Sequence, residues 1–212
     1  MNTLSPTGVV REAWEIFKKR PWFLMGAVLL SGIIMNVISQ VATSIGQNSG
    51  DVGAFAAFIV SFAVSSLYGL GLIAFFLKAH DDVTSVKLMD LWHPVGFWRY
   101  VGATIALMII VGLGFVLLIV PGIILAVMLY FTTYLVVDKG MGPIDALKES
   151  ARITKGNRWN LFLLMLLSIV IVLLGVICFF VGIFVAIPVT LLAIVIAYRK
   201  LESAAGALSP AV

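Results

Sequence analysis

What most constrains this chain is where its charges are absent. Six apolar stretches, residues 22–45, 53–77, 100–120, 121–137, 159–181 and 182–198, contain no Asp, Glu, Lys, Arg or His. A helix crossing the hydrocarbon of a bilayer needs about 20 apolar residues, with a range of about 17–25. Each stretch is long enough, and an ionised side chain at such depth is expensive. Composition agrees: 62% of residues are hydrophobic and 11% charged, whereas a soluble domain carries about 25% charged residues. The expected fold is an all-α polytopic membrane bundle, one domain over residues 1–212.

The cations are sorted as well as excluded. All 14 Lys and Arg residues fall before residue 22, between 77 and 100, between 137 and 159, or after 198. The alternate connections, near residues 47–51, 120–122 and 180–182, carry none. The positive-inside rule then places both termini and the two long loops in the cytoplasm, making a multi-pass protein of the inner (cytoplasmic) membrane. The net charge of +4 sits beside apolar runs, which points to anionic lipid head groups and away from nucleic acid. The first apolar run exceeds the about 7–15 residues of a signal-peptide core, so no cleaved signal is expected. Cys178, alone in an apolar run, reads as a buried thiol. His80 and His93 belong to no metal-ligand cluster.

Each pair of spans is preceded by a segment with helical amphipathicity: residues 8–20, 84–93 and 143–155. In the last, Asp145, Lys148, Glu149, Arg152 and Lys155 share one arc, while Ile144, Ala146, Leu147, Ala151 and Ile153 fill the other. Pro143 suits a first helical position and Gly156 a stop. The segment 84–93 is the poorest of the three. This suggests three units, each an interfacial helix followed by a membrane hairpin. Pro121-Gly122 is the expected corner of the second hairpin, residues 180–182 that of the third, and Pro188 predicts a kink. Trp22, Trp98, Tyr100, Trp159 and Tyr198 stand at the charged ends of spans, where amphipathic rings favour the head-group level.

Lipid tails give helices no hydrophobic reason to associate, so small and polar residues must do it. Asn36, Ser39, Gln40 and Thr43 form one face of the first span and are expected inward. Ser61, Ser65 and Gly69 offer a flat face on the second, and Tyr130 and Thr133 add polar groups to the fourth. The Asn36–Gln40 stripe reads as interhelical hydrogen bonding before it reads as a solute path.

No phosphate-binding loop, dinucleotide fingerprint or His-Glu-x-x-His occurs. Ser150 has no histidine in its segment to act as base, and Asp81-Asp82 reads as a solvated acidic pair. No catalytic, cofactor or metal site is expected. Lys148, Arg152, Lys155, Arg158 and Trp159 are candidates for contact with phospholipid head groups.

Pro121-Gly122-Ile123-Ile124, then the run from Ala146-Leu147-Lys148-Glu149-Ser150 through Lys155-Gly156-Asn157-Arg158-Trp159, then Ala197-Tyr198-Arg199, resemble a group of prokaryotic six-span membrane proteins. That group is similar to the membrane domain lying N-terminal to the catalytic domain of some glycerophosphodiester phosphodiesterases. The likeness covers the C-terminal half, with a looser echo from Ala13-Trp14 to Trp22. It implies an inner-membrane protein of unknown activity and does not imply phosphodiesterase chemistry, since the chain is expected to end soon after its last span.

The sequence thus favours a non-catalytic structural or regulatory module at the cytoplasmic leaflet, with membrane lipids, anionic ones included, as partners. A transporter or channel for a neutral or lipidic substrate is the second reading. An interfacial lipid-acting enzyme, with Asp138 and Glu149 among basic residues, is the third. A protein partner or a homo-oligomer stays open.

Overall fold

A computed structural model describes residues 4–47, 50–92, 95–177 and 181–207. Cys178 and His93 lie outside the described residues, as does Phe180 of the expected corner at 180–182, whose other two residues, Val181 and Gly182, already belong to the last helix. The described residues are helical and contain no strand. They form α1 (Pro6–Lys19), α2 (Pro21–Gln47), α3 (Gly50–Asp81), a 3-10 turn at Leu88–Leu91, α4 (Phe97–Leu117), α5 (Ile119–Met128), α6 (Thr132–Lys139), α7 (Pro143–Ile153), α8 (Arg158–Ile177) and α9 (Val181–Ala207). Six helices are long and apolar enough to cross a membrane, with Ile119–Lys139 counted as one.

Short connections set the neighbours. α2 packs along α3, α4 along α5, and α8 along α9. α9 is the hub, touching α1, α2, α3, α7 and α8. Leu192, Ala193, Val195, Ile196, Ala197 and Tyr198 of α9 are all buried. α9 also runs without interruption through Pro188.

α1 begins where the Ser5 hydroxyl accepts the Gly8 N–H at 3.3 Å, with Pro6 at the first helical position. It buries Val9, Ala13 and Phe17 and exposes Arg11, Glu15, Lys18 and Lys19. α7 buries Ala146, Ser150 and Ile153 and exposes Lys148 and Arg152. Residues 84–93 contain no comparable helix among the described residues; only a 3-10 turn forms there. The Asp90 carboxylate accepts the Lys87 N–H at 2.7 Å and the Lys78 ammonium at 2.8 Å, which closes the segment locally.

Two expected features are corrected. The corner between α4 and α5 falls at Leu118 (φ −164°, ψ 152°), not at Pro121-Gly122. Pro121 sits inside the first turn of α5, where a missing N–H deprives the helix of nothing. Gly122 serves packing: a Cβ there would lie 2.5 Å from the Phe115 ring. The second correction concerns the tyrosines. Trp22, Trp98 and Trp159 are exposed, but Tyr100 and Tyr198 are buried within the bundle.

Candidate functional site

The charge-bearing ends of the helices meet in one ionic network. Arg199 of α9 reaches Asp138 of α6 at 2.9 Å and Asp81 of α3 at 3.2 Å. The Tyr198 hydroxyl donates to the same Asp138 oxygen at 2.8 Å. Lys139 pairs with Glu202 at 2.8 Å, and Lys200 pairs with Glu12 of α1. Arg20 donates to the carbonyls of Val83, Thr84 and Val86 and lies 4.2 Å over the Phe23 ring. Together these contacts tie α1, α3, α6 and α9 at one end. An open recess of about 390 Å3 lies among Lys78, Asp81, Asp138 and Arg199. All three acids that line it, Asp81, Asp138 and Asp90, already face a cation, so the arrangement locks helices together. Asp138 pairs with Arg199, whereas Glu149 pairs with Arg152.

α7 has a different task, and Ser150 explains it. The fourth apolar stretch loses its helical ladder at residues 129–131. There the Phe131 N–H turns to the Ser150 hydroxyl at 3.2 Å, and that hydroxyl donates to the Met128 carbonyl at 3.1 Å. The Thr154 hydroxyl also reaches the Met128 carbonyl, at 3.1 Å. Backbone groups freed inside a water-poor interior must find partners. Ser150 and Thr154 supply them, which engages the Ser150 hydroxyl as both acceptor and donor. The rest of the signature run follows suit. Gly156 makes the left-handed step (φ 87°) between α7 and α8. The Asn157 side chain accepts the Leu4 N–H at 3.0 Å, and Arg158 donates to the Ala151 carbonyl at 3.4 Å.

The candidate head-group residues divide accordingly. Lys148, Arg152, Lys155 and Trp159 are exposed, and Arg158 is half-buried under α7. Arg152 grips Glu149 with two 2.7 Å hydrogen bonds, and this holds the Glu149 carboxyl below the usual carboxylate range. Lys148 and Lys155 have no acidic partner among the described residues.

The expected polar interior is only partly inside. Ser61 is half-buried with its hydroxyl oxygen enclosed, and Tyr130 is half-buried against Phe131 and Tyr134. Asn36, Gln40 and Ser65 are exposed on the outer surface of the chain. The reason is that α2 and α3 meet through small residues: a Cβ on Gly46 would lie 2.3 Å from that of Ala57. So close a contact leaves no room for amides between the helices. Sequence reasoning missed the Asp81–Arg199–Asp138 network; its one sign was Asp138 and Arg199 standing at the ends of spans.

Among the described residues, six helices long and apolar enough to cross a membrane, a charged end and a buried hydroxyl staple define an all-helical protein without strands. More narrowly, the chain belongs to the family described as a domain of unknown function (DUF7847), which matches residues 91–211. It is also similar to the uncharacterized protein Rv2560 of Mycobacterium tuberculosis, at 27% identity over 148 residues, 70% of this chain and 45% of that protein. The uncharacterized protein Mb2590 of Mycobacterium bovis matches at the same identity and coverage. The chain spans less than half the length of these curated relatives. No solved structure matches it.

Proposed function

We propose that this chain is a non-catalytic, multi-pass module of the cytoplasmic membrane that holds anionic lipid at the inner leaflet, with both described ends in the cytoplasm. In this reading α2–α3, α4 with α5–α6, and α8–α9 are three membrane hairpins. The segments α1, 84–93 and α7 lie at the inner interface. One observation carries the reading. Lys148 and Lys155 stand exposed, with no acidic partner among the described residues, just ahead of the exposed Trp159, while the neighbouring Glu149 is engaged by Arg152. A cation near an anionic leaflet gains about 1 kcal/mol, and an indole at the same level favours the head-group layer.

Two measurements test this. Lys148→Glu with Lys155→Glu should lower the phosphatidylglycerol retained by the purified protein; unchanged retention overturns the head-group role. Cysteines at Asp51 and Lys155, in a Cys178→Ser background, should label from opposite faces of sealed vesicles. Labelling from one face would overturn the orientation.

A further inference from the structure

We propose that a groove between α1, α8 and α9 is a binding site for one anionic phospholipid, its phosphate on Arg11 and an acyl chain along the α8–α9 face. This rests on the membrane reading above but names a site separate from α7.

The groove has a volume of about 730 Å3 and an almost wholly apolar lining. Its long wall is Leu167, Ile171 and Leu174 of α8 facing Val185, Ala186 and Val189 of α9. Its depth comes from a close helix crossing: a Cβ on Gly175 would lie 2.9 Å from the Gly182 backbone. The other end is closed by α1. Thr7, Val10, Arg11 and Trp14 of α1 line it, at the spacing of a single helical face. The neighbouring face, Val9, Ala13 and Phe17, is buried against the bundle, so α1 is fixed in rotation with the exposed Arg11 at the mouth of the groove.

Charge selects the occupant. α1 carries two acids, and both are taken: Glu12 by Lys200 and Glu15 by Lys18 at 2.8 Å. Arg11 has no acidic partner among the described residues. An apolar channel headed by an uncompensated guanidinium, a hydroxyl and an indole complements an acyl chain headed by a phosphate. Lys148 and Lys155 offer head-group contact alone; this groove adds a seat for the tail.

Trp14 supplies the reporter. In a variant with Trp22, Trp92, Trp98 and Trp159 changed to Phe, all four being exposed, the remaining fluorescence comes from Trp14. In vesicles of mixed phosphatidylcholine and phosphatidylglycerol, dibrominated acyl chains quench a nearby indole. Brominated phosphatidylglycerol should quench Trp14 with about a fivefold preference over brominated phosphatidylcholine, the effect of one basic residue at an anionic surface. Arg11→Gln should erase the preference, and Ile171→Phe, which fills the groove, should weaken quenching by both lipids. Equal quenching by both lipids in the parent, or a preference that survives Arg11→Gln, overturns the site. A second variant keeping only Trp159 reports on the α7 surface. Selectivity at Trp159 without selectivity at Trp14 removes the groove alone; quenching at neither indole removes the membrane reading with it.

Discussion

α9 and α2 are almost equally apolar, with mean hydropathy of 2.1 and 1.9 over their spans, yet they occupy opposite positions in the molecule. In α9, 61% of the most apolar stretch is buried; in α2 the figure is 11%. One is the axle of the bundle and the other lies at its edge, packed chiefly along α3. Hydropathy separates helix from water but cannot separate a lipid-facing side from a protein-facing one, since both are apolar. What distinguishes α9 is a run of small and polar groups with specific partners. Ala193 and Ala197 allow close approach, and Tyr198 and Arg199 bond to Asp138. α2 has its amides on the outside instead.

The sharpest way to break this contrast is to shorten one buried and one exposed ring. Phe131 is fully buried among Tyr130, Tyr134 and Tyr198. Phe131→Ala should cost about 3–5 kcal/mol of stability. Phe58 on α3 is 67% exposed, and Phe58→Ala should cost less than about 0.5 kcal/mol. Unfolding in mixed micelles compares the two. A comparable loss at Phe58 would mean that the outer face of α2–α3 is covered by another copy or a partner, and the contrast would hold only for the isolated chain.

The staple between α7 and the break after α5 comes next. Ser150→Ala strands the Phe131 N–H and takes one donor from the Met128 carbonyl, which should cost about 1–3 kcal/mol. Thr154→Val should cost less, because that hydroxyl shares its one proton between the Ser150 carbonyl at 2.8 Å and the Met128 carbonyl at 3.1 Å, and the two changes should couple. Faster hydrogen exchange across residues 129–135 is the specific readout; a loss spread evenly over the chain would contradict a local staple.

Asp138→Asn tests the ionic end. Arg199 keeps Asp81 and Glu202, and it is partly open to solvent. The expected loss is therefore about 1 kcal/mol, at the low end for a hydrogen bond to a charged group. A double-mutant cycle with Tyr198→Phe should show coupling, because both partners share one carboxylate oxygen. Lys18→Ala, at an exposed pair on α1, should fall within about 0.5 kcal/mol of the parent.

Much of this arrangement was legible in the residue order. The six charge-free stretches marked the helices long enough to span, and Pro143 and Gly156 marked the ends of α7. The corner at Leu118 was not legible, because an extended leucine carries no local signal and Pro121-Gly122 carries a strong one that packing uses otherwise. Asp81 and Arg199 are 118 positions apart, and nothing local to either announces the other. Ser150, with no histidine in its segment, has no task that its neighbours in sequence reveal. Its role depends on a break in a different helix, which only the folded chain reveals.

The weakest expected effect lies at the Lys78–Asp90 bridge, and its direction is set by protonation. The Lys78 hydrogen bond, followed by the Lys87 N–H, holds the Asp90 carboxyl below its ordinary value of 3.8. The folded state therefore binds this proton less readily than the unfolded chain does. Its contribution is fully present above the unfolded value and is lost as pH falls through the lower folded one. Acidification from neutrality to pH 5 should leave the bridge intact, and its contribution should fade only below about pH 4. Asp90→Asn removes this part of the acid response. Parent and variant should therefore differ in stability at pH 7 and converge at low pH, with a small gap because the pair is solvent-exposed. A gap that instead widened on acidification would reverse the sign, and the turn at 88–91 would then owe its shape to packing and not to this carboxylate.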